Sequence, residues 1–378
     1  MRLLYIFSQF SVKGGTERIF ISKMNYLADV LGYEVHSLGM YQKDDQPNAY
    51  PMSGKIIQHR FGFDYLSIDL LRPWRYFLDR RKVIKRLQEK IDEVRPDYVM
   101  VSTATTRNIV DINLPEGTKL IMESHCARNM MWVECPWLVR LRRYHLLAHE
   151  EKIAHKIVCL TRTDAKMWKG DNIMIIPNFV EVTVDEEKVR EQRLTIARTS
   201  KKIVSLGRHY PQKGYDMLIS AWAKVHATHP DWQLQIGGYD VGSGVEEKLR
   251  RQIKDMGLSD TITLGPRIDD VPAFFSDASF FVLSSRYEGF GLVLLEAMTC
   301  GLPCVSFDCP TGPSDIISHK KDGLLVENGS IDKLAESMCY MIEHEDERMQ
   351  MSLNALEKVK QFDRETIMHQ WQSLFEGA

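Results

Sequence analysis

A handful of charged residues and glycines carry the chemistry this sequence can do. Arg208 and Lys213 stand five positions apart, after the apolar run 202–206 and Gly207. Across a turn, that spacing lets two cations converge on one diphosphate. Glu288 and Glu296 stand eight positions apart, with Gly289, Phe290 and Gly291 between them and a helical pattern beginning at Leu292. Gly301 and Pro303 stop that helix. Glycines before a helix let its N–H groups meet an anion, while carboxylates accept hydrogen bonds from hydroxyls. Each cluster has a plain alternative: a surface turn for the cations, and two solvated acids for the glutamates. The sharper reading is a phosphate- and ribose-binding corner.

Two further features sit in the first half of the chain. Gly14 and Gly15 precede a helix that Thr16 is expected to cap, with Ile19, Ile21, Met24, Leu27 and Leu31 on its buried face and Gly32 closing it. They do not complete the G-x-G-x-x-G fingerprint, so either a tight turn or close backbone approach to a ligand fits them. His125 ends the run 117–125, which reads as a strand with polar residues at its carboxyl end. There it could hydrogen-bond a sugar hydroxyl or stabilise charge, or be a structural histidine.

The elements that must position these residues alternate. Strands are expected, most of them as apolar runs, at 3–7, 34–40, 55–61, 96–102, 117–125, 155–160 and 172–177, then again at 202–206, 232–238, 261–265 and 278–284. Helical patterns separate many of them, so two parallel-sheet α/β domains are expected. Residues 181–200 are charged and lack a compact apolar pattern, which marks a linker. The expected division is therefore 1–180, a linker over 181–200, a second domain over 201–360, and a C-terminal helix over 361–378 that returns to the first domain.

Bulk properties bound the function. The chain has 378 residues, long enough for two cores. Residues 1–180 hold 27 Lys and Arg against 20 Asp and Glu, whereas residues 181–378 hold 22 against 31. The basic half points to an anionic partner. A basic helix over 70–94, with Arg80, Arg81, Lys82 and Lys85, and the segment 137–144 suit either an anionic membrane surface or an ordinary solvated face. No nucleic-acid module pattern appears. The cysteines Cys126, Cys135, Cys159, Cys300, Cys304, Cys309 and Cys339 form no C-x-x-C pair, which fits a reduced, cytoplasmic protein. No run approaches the roughly 20 apolar residues of a membrane span, and no Asp-x-Asp or His/Cys cluster calls for a metal.

These motifs, in this order, resemble the retaining glycosyltransferases of family 4. The matching positions are Gly14 to Glu17, His125, Ile176 to Asn178, Gly207-Arg208 with Lys213-Gly214, Arg286 to Gly291, Glu296 to Gly301 and the run from Asp322. They cover residues 1–326. The resemblance implies the GT-B fold, two Rossmann-like doubly wound α/β domains facing across a cleft. It implies that Arg208 and Lys213 bind the donor diphosphate, Glu296 the ribose, and Glu288 and His125 the transferred sugar. Gly14 and Gly15 would leave room for donor phosphate and acceptor, and Gly207, in the same motif as Arg208, sits where backbone must come close to the donor. The amides of Phe290, Gly291 and Leu292, after Gly289, would meet sugar or phosphate, and the backbone at Arg267 and Ile268 the base.

Residues 308–315 resemble a bacterial subgroup that adds hexoses or N-acetylhexosamines to lipid-linked oligosaccharides. The implied activity is metal-independent transfer, with no cofactor, from a UDP-sugar to a glycan or polyprenyl-linked acceptor at the cytoplasmic face of the inner membrane. A sugar-nucleotide epimerase or hydrolase, or a non-catalytic sugar-nucleotide binder, would share the architecture. Two departures stand out: Phe179 where the family often has glycine, and residues 307–312 in place of a commoner run of glycines.

Overall fold

In a computed structural model of the chain, the seven expected strands of the first half are β1 (Arg2–Phe7), β2 (Glu34–Gly39), β3 (Ile57–Arg60), β4 (Tyr98–Ser102), β5 (Lys119–Ser124), β6 (Lys156–Cys159) and β7 (Ile173–Ile175). They build a parallel sheet in the order β3-β2-β1-β4-β5-β6-β7. The structure describes residues 1–64, 73–103, 109, 111–128, 149 and 151–377. A second parallel sheet holds β8 (Lys202–Leu206), β9 (Gln233–Gly237), β10 (Ile262–Leu264), β11 (Phe280–Leu283), β12 (Cys304–Asp308) and β13 (Gly323–Glu327). Its order is β10-β9-β8-β11-β12-β13. The chain divides into two compact units, Met1–Ile176 with Gln370–Ala378, and Pro177–His369.

Strands buried on both faces read as continuous apolar runs, and each unit shows this. In the first, Leu4, Ile6, Val99, Val101 and Met122 from the sheet pack with Val83, Leu87 and Ile91 of the helix Pro73–Val94. In the second, Ile203, Leu234, Ile236, Phe280 and Val305 pack with Leu218, Trp222 and Val225 of the helix Tyr215–Thr228. Both sheets are doubly wound. Strand order reverses between β1 and β4 and again between β8 and β11. In open α/β sheets, ligands bind beyond the carboxyl ends of strands at such a switch point.

Two expectations differ in detail from what is observed. Thr16 does not cap the first helix. Gly14 does, in extended conformation (φ −148°), and the helix runs Gly15–Asp29. The Glu17 carboxylate folds back over Gly14, where a Cβ would collide with it. The segment 181–200 contains a helix, Glu186–Thr199, capped by Asp185 and belonging to the second unit. Arg193 anchors it. This buried guanidinium donates to the carbonyls of Cys300, Ala278 and Phe275 at 2.7, 2.7 and 2.9 Å. Burial lowers it to about 10. A charged side chain here does what the periodicity argument sought in apolar ones.

The last helix, Arg364–Glu376, begins in the second unit and ends in the first. Within the first unit, Phe375 lies 5.1 Å from Tyr98 between ring centroids, and the Tyr98 hydroxyl donates to the Phe375 carbonyl at 3.0 Å. Residues 70–72 of the expected basic helix, and the whole of 137–144, lie outside the described residues.

Candidate active site

In the second unit, the switch point sets two loops side by side. The first leaves β8 at Leu206 and passes through Gly207, Arg208 and His209 into a 3-10 turn, Pro211–Lys213. Gly214 then takes a left-handed conformation, φ +63°, and the helix Tyr215–Thr228 begins. The second leaves β11 at Leu283 and runs through Ser284 to Gly291, where φ +96° turns it into the helix Leu292–Thr299. Both turns need φ values that glycine adopts without strain.

Hydrogen bonds lace the loops together. Ser284 Oγ donates to the Lys213 carbonyl at 2.9 Å, and Arg286 N donates to the Gln212 carbonyl at 2.8 Å. Gln212 Nε2 returns one to the Tyr287 carbonyl at 2.9 Å. Arg286 forks onto both oxygens of Asp216, at 2.9 and 2.7 Å, and reaches the Pro211 carbonyl at 2.7 Å. Burial pushes the Asp216 carboxyl up, but the guanidinium outweighs it and holds the group below the ordinary carboxylate range.

This lacing fixes Lys213 against Glu288. Their Nζ and Oε1 atoms lie 2.7 Å apart, and Ser285 Oγ donates to the same oxygen at 2.6 Å. The Glu288 side chain is 8% exposed and that of Lys213 15%, so the pair is shielded but reachable. Gly207 leaves room for it, since a Cβ there would come within 3.0 Å of Lys213 Cε and 2.9 Å of Tyr215 Oη. Arg208, by contrast, is exposed and makes no ion pair among the described residues. One loop thus offers a held cation and a free one.

The turn after β12 completes the corner. Thr311 Oγ1 donates to the Glu288 carbonyl, and Gly312 (φ +101°) lies so close to the Phe290 carbonyl that a Cβ would collide with it. Glu296 sits on the helix Leu292–Thr299 and is 6% exposed. Phe290 is buried, its ring 6.0 Å from that of Phe362. Arg267 pairs with Asp269 at 3.2 Å and lies 5.4 Å over the Tyr239 ring. Ile268 packs on Gly237, so these two residues line the β9 and β10 side of the same strand ends.

No sequence pattern of its own marks His209. It is fully buried, with Nδ1 2.9 Å from Glu246 Oε2 and Nε2 without a partner among the described residues. Its place between Arg208 and Lys213 was the available signal. The Arg286–Asp216 fork is likewise unmarked in local sequence, since it joins residues 70 positions apart.

Gly14, Gly15 and His125 belong to the first unit. Gly14 and Gly15 follow β1 at its switch point, and His125 follows β5 with its Nε2 3.0 Å from Glu123 Oε2. Among the described residues, no group of three His, Cys, Asp or Glu side chains could hold a metal ion, and no helix is long and apolar enough to cross a membrane.

Known proteins resemble this chain in sequence and in fold. Residues 186–358 match the family model described as glycosyl transferases group 1. An uncharacterized glycosyltransferase of Haemophilus influenzae is 29% identical over 372 residues, covering 96% of each chain. The amylovoran biosynthesis glycosyltransferase AmsD of Erwinia amylovora is 23% identical, covering 99% of each. Among solved structures, Anabaena HepE in complex with UDP-glucose superposes with a TM-score of 0.72 at 20% identity, over 100% of both chains. That likeness establishes the fold, GT-B.

Proposed function

This chain is a glycosyltransferase with a group 1 domain over residues 186–358, and from that premise we propose a specific reaction. It moves a hexose or N-acetylhexosamine from a UDP-sugar to a glycan acceptor, lipid-linked, in cell-surface polysaccharide assembly, with retention of anomeric configuration. AmsD, named for amylovoran biosynthesis, and HepE, solved with UDP-glucose, support the acceptor class and the donor. The observation that carries the reading is the Lys213–Glu288 pair beside the exposed Arg208 at the β8/β11 switch point.

The chemistry follows from charge. A nucleoside diphosphate leaves readily once its developing charge is neutralised. Arg208 and Lys213 supply two cations, and the start of the helix Leu292–Thr299 supplies N–H groups from Phe290, Gly291 and Leu292. Lys213 moves between two anions, Glu288 and the phosphate. Glu288 then takes a hydroxyl of the transferred sugar, and Glu296 the ribose hydroxyls. Arg267 and Ile268 flank the base, and His125 contacts the sugar. Attack on the same face lets the departing phosphate take the acceptor's proton, so no enzyme nucleophile is needed. The Thr311–Glu288 contact makes the 310–313 turn a determinant of which sugar fits.

A melting screen tests the donor. UDP at 100 times its dissociation constant stabilises the protein by about 2.7 kcal/mol, whereas ADP and GDP at equal concentration leave the melt unchanged. Equal shifts from all three would overturn the UDP assignment. Transfer persists in excess EDTA, and loss of activity restored by Mg²⁺ would overturn metal independence. UDP-sugar consumed without acceptor would favour the epimerase or hydrolase reading.

The membrane reading has its own test. On the helix Pro73–Val94, Arg81, Lys82, Lys85 and Arg86 are exposed, while Arg80 pairs with Asp111. Lys82 pairs with Asp79, and Lys85 and Arg86 both approach Glu89. A basic residue near an anionic surface contributes about 1 kcal/mol, and these local pairs reduce it. Changing all four exposed residues to Gln lowers binding to phosphatidylglycerol-containing vesicles by about 10-fold or more. Unchanged sedimentation with vesicles would make this an ordinary solvated face.

A further inference from the structure

The first unit contains a buried charge chain that the donor chemistry does not use. Glu123 lies at the carboxyl end of β5 and His125 just after it, where the two side chains meet. Glu123 is 1% exposed. Its Oε2 lies 3.0 Å from His125 Nε2 and also accepts from Lys23 Nζ. Lys23 comes from the helix Gly15–Asp29 and is equally buried. Its ammonium sits 3.8 Å over the Trp371 ring, with the rings of Phe20 and Tyr5 at 5.0 and 5.5 Å. The His125 ring lies 4.9 Å from that of Phe20. Burial pushes the Glu123 carboxyl up, yet Lys23 and His125 together hold it below the ordinary range, and burial pulls Lys23 down.

Packing alone does not call for this arrangement. A buried ion pair can often be replaced by apolar residues of similar volume with no loss of stability, and Lys23 is already surrounded by aromatic rings. What the pair does accomplish is to place a fixed acceptor beside one nitrogen of His125. A carboxylate against one ring nitrogen sets both the rotation of an imidazole and the role of its other nitrogen.

We propose that Glu123, held in place by Lys23, is a positioning residue for His125. The carboxylate accepts the Nε2 proton and turns Nδ1 to the far side of the ring, where it accepts from a hydroxyl of sugar or acceptor. This rests on the assignment of His125 to the transferred sugar made above.

Nuclear magnetic resonance of the ¹⁵N-labelled full chain, with transfer kinetics using UDP-glucose or UDP-N-acetylglucosamine, tests it. An imidazole proton held by a buried carboxylate exchanges slowly and is visible; a solvated one is not. The wild type shows the His125 Nε2 proton. The Lys23→Met/Glu123→Leu variant melts as the wild type does but lacks that proton. Its kcat falls about 10-fold with the donor KM unchanged. Glu123→Gln, which keeps an oxygen beside Nε2, retains the proton and stays within about threefold of wild-type kcat.

Absence of the proton in the wild type, or wild-type kcat in the double variant, would overturn the proposal. A Glu123→Gln protein that loses the proton yet keeps kcat would overturn it alone, whether or not the double variant folds. His125→Ala separates the two readings. If it transfers at the wild-type rate, the placement of His125 at the sugar is wrong and the proposal falls with it. If it is inactive while the double variant transfers at the wild-type rate, only the positioning role falls.

Discussion

Lys213→Ala lowers sugar transfer by about 10²-fold or more, a loss of about 2.7 kcal/mol of transition-state stabilisation. The reason lies in when the charge appears. Both phosphates of the donor are anionic before reaction, but the bond to the sugar breaks only as further negative charge builds on the leaving oxygen. A cation that engages that charge acts more on kcat than on KM. Lys213 is built for this. Its turn is tied to the neighbouring loop through Ser284, Gln212 and Arg286, so the ammonium needs little ordering when the donor arrives. Arg208 is exposed and less confined, so its loss should weigh more on donor binding.

The variant has a second effect that must be separated from the first. Removing Lys213 leaves Glu288 a buried carboxylate with Ser285 as its remaining side-chain partner. An uncompensated buried charge is destabilising. The double variant Lys213→Ala/Glu288→Gln therefore melts higher than Lys213→Ala alone but transfers no faster. Release of UDP, followed by chromatography, gives the rate, and a melt gives the stability. Wild-type turnover in Lys213→Ala would remove this residue from the diphosphate site.

The architecture was legible in the sequence because strands buried on both faces are written locally, as apolar runs between helical patterns. The chemistry of the second unit was legible for a related reason. Gly207, Arg208, Lys213 and Gly214 follow one strand, and Glu288 to Glu296 follow another. Each cluster therefore lies within a dozen residues of chain. What remained hidden joins distant residues through charge. Lys23 lies among Phe20, Met24 and Leu27 on a helix stripe and looks like a solvated lysine that strayed, until β5 brings Glu123 to it across 100 positions. Arg193 sits in a charged stretch that reads as a linker, although three carbonyls from other segments bury it. Periodicity reports which face is apolar. It is silent about a buried ion whose partner lies elsewhere in the chain.

Gly214→Ala destabilises the protein by about 2–4 kcal/mol and takes much of the activity with it. Two costs add. At φ +63° any Cβ-bearing residue other than Asn or Asp is strained, by about 1–2 kcal/mol. The added methyl would also collide with the Ser284 carbonyl oxygen, a backbone atom that cannot move unless β11 or its loop moves with it. Gly329 separates the two terms. It too has positive φ, +79°, but a Cβ there meets nothing within 4 Å. Gly329→Ala therefore carries the conformational strain alone, about 1 kcal/mol. The melting temperature should fall by roughly 5–10 °C for Gly214→Ala and only a few degrees for Gly329→Ala. The functional consequence follows from the same contact. Ser284 also donates to the Lys213 carbonyl, so forcing the two loops apart displaces the Lys213 ammonium from the position argued for it. Equal melts for the two variants would show that the loops do not press on each other at Gly214, and the tight lacing on which Lys213 depends would have to be abandoned.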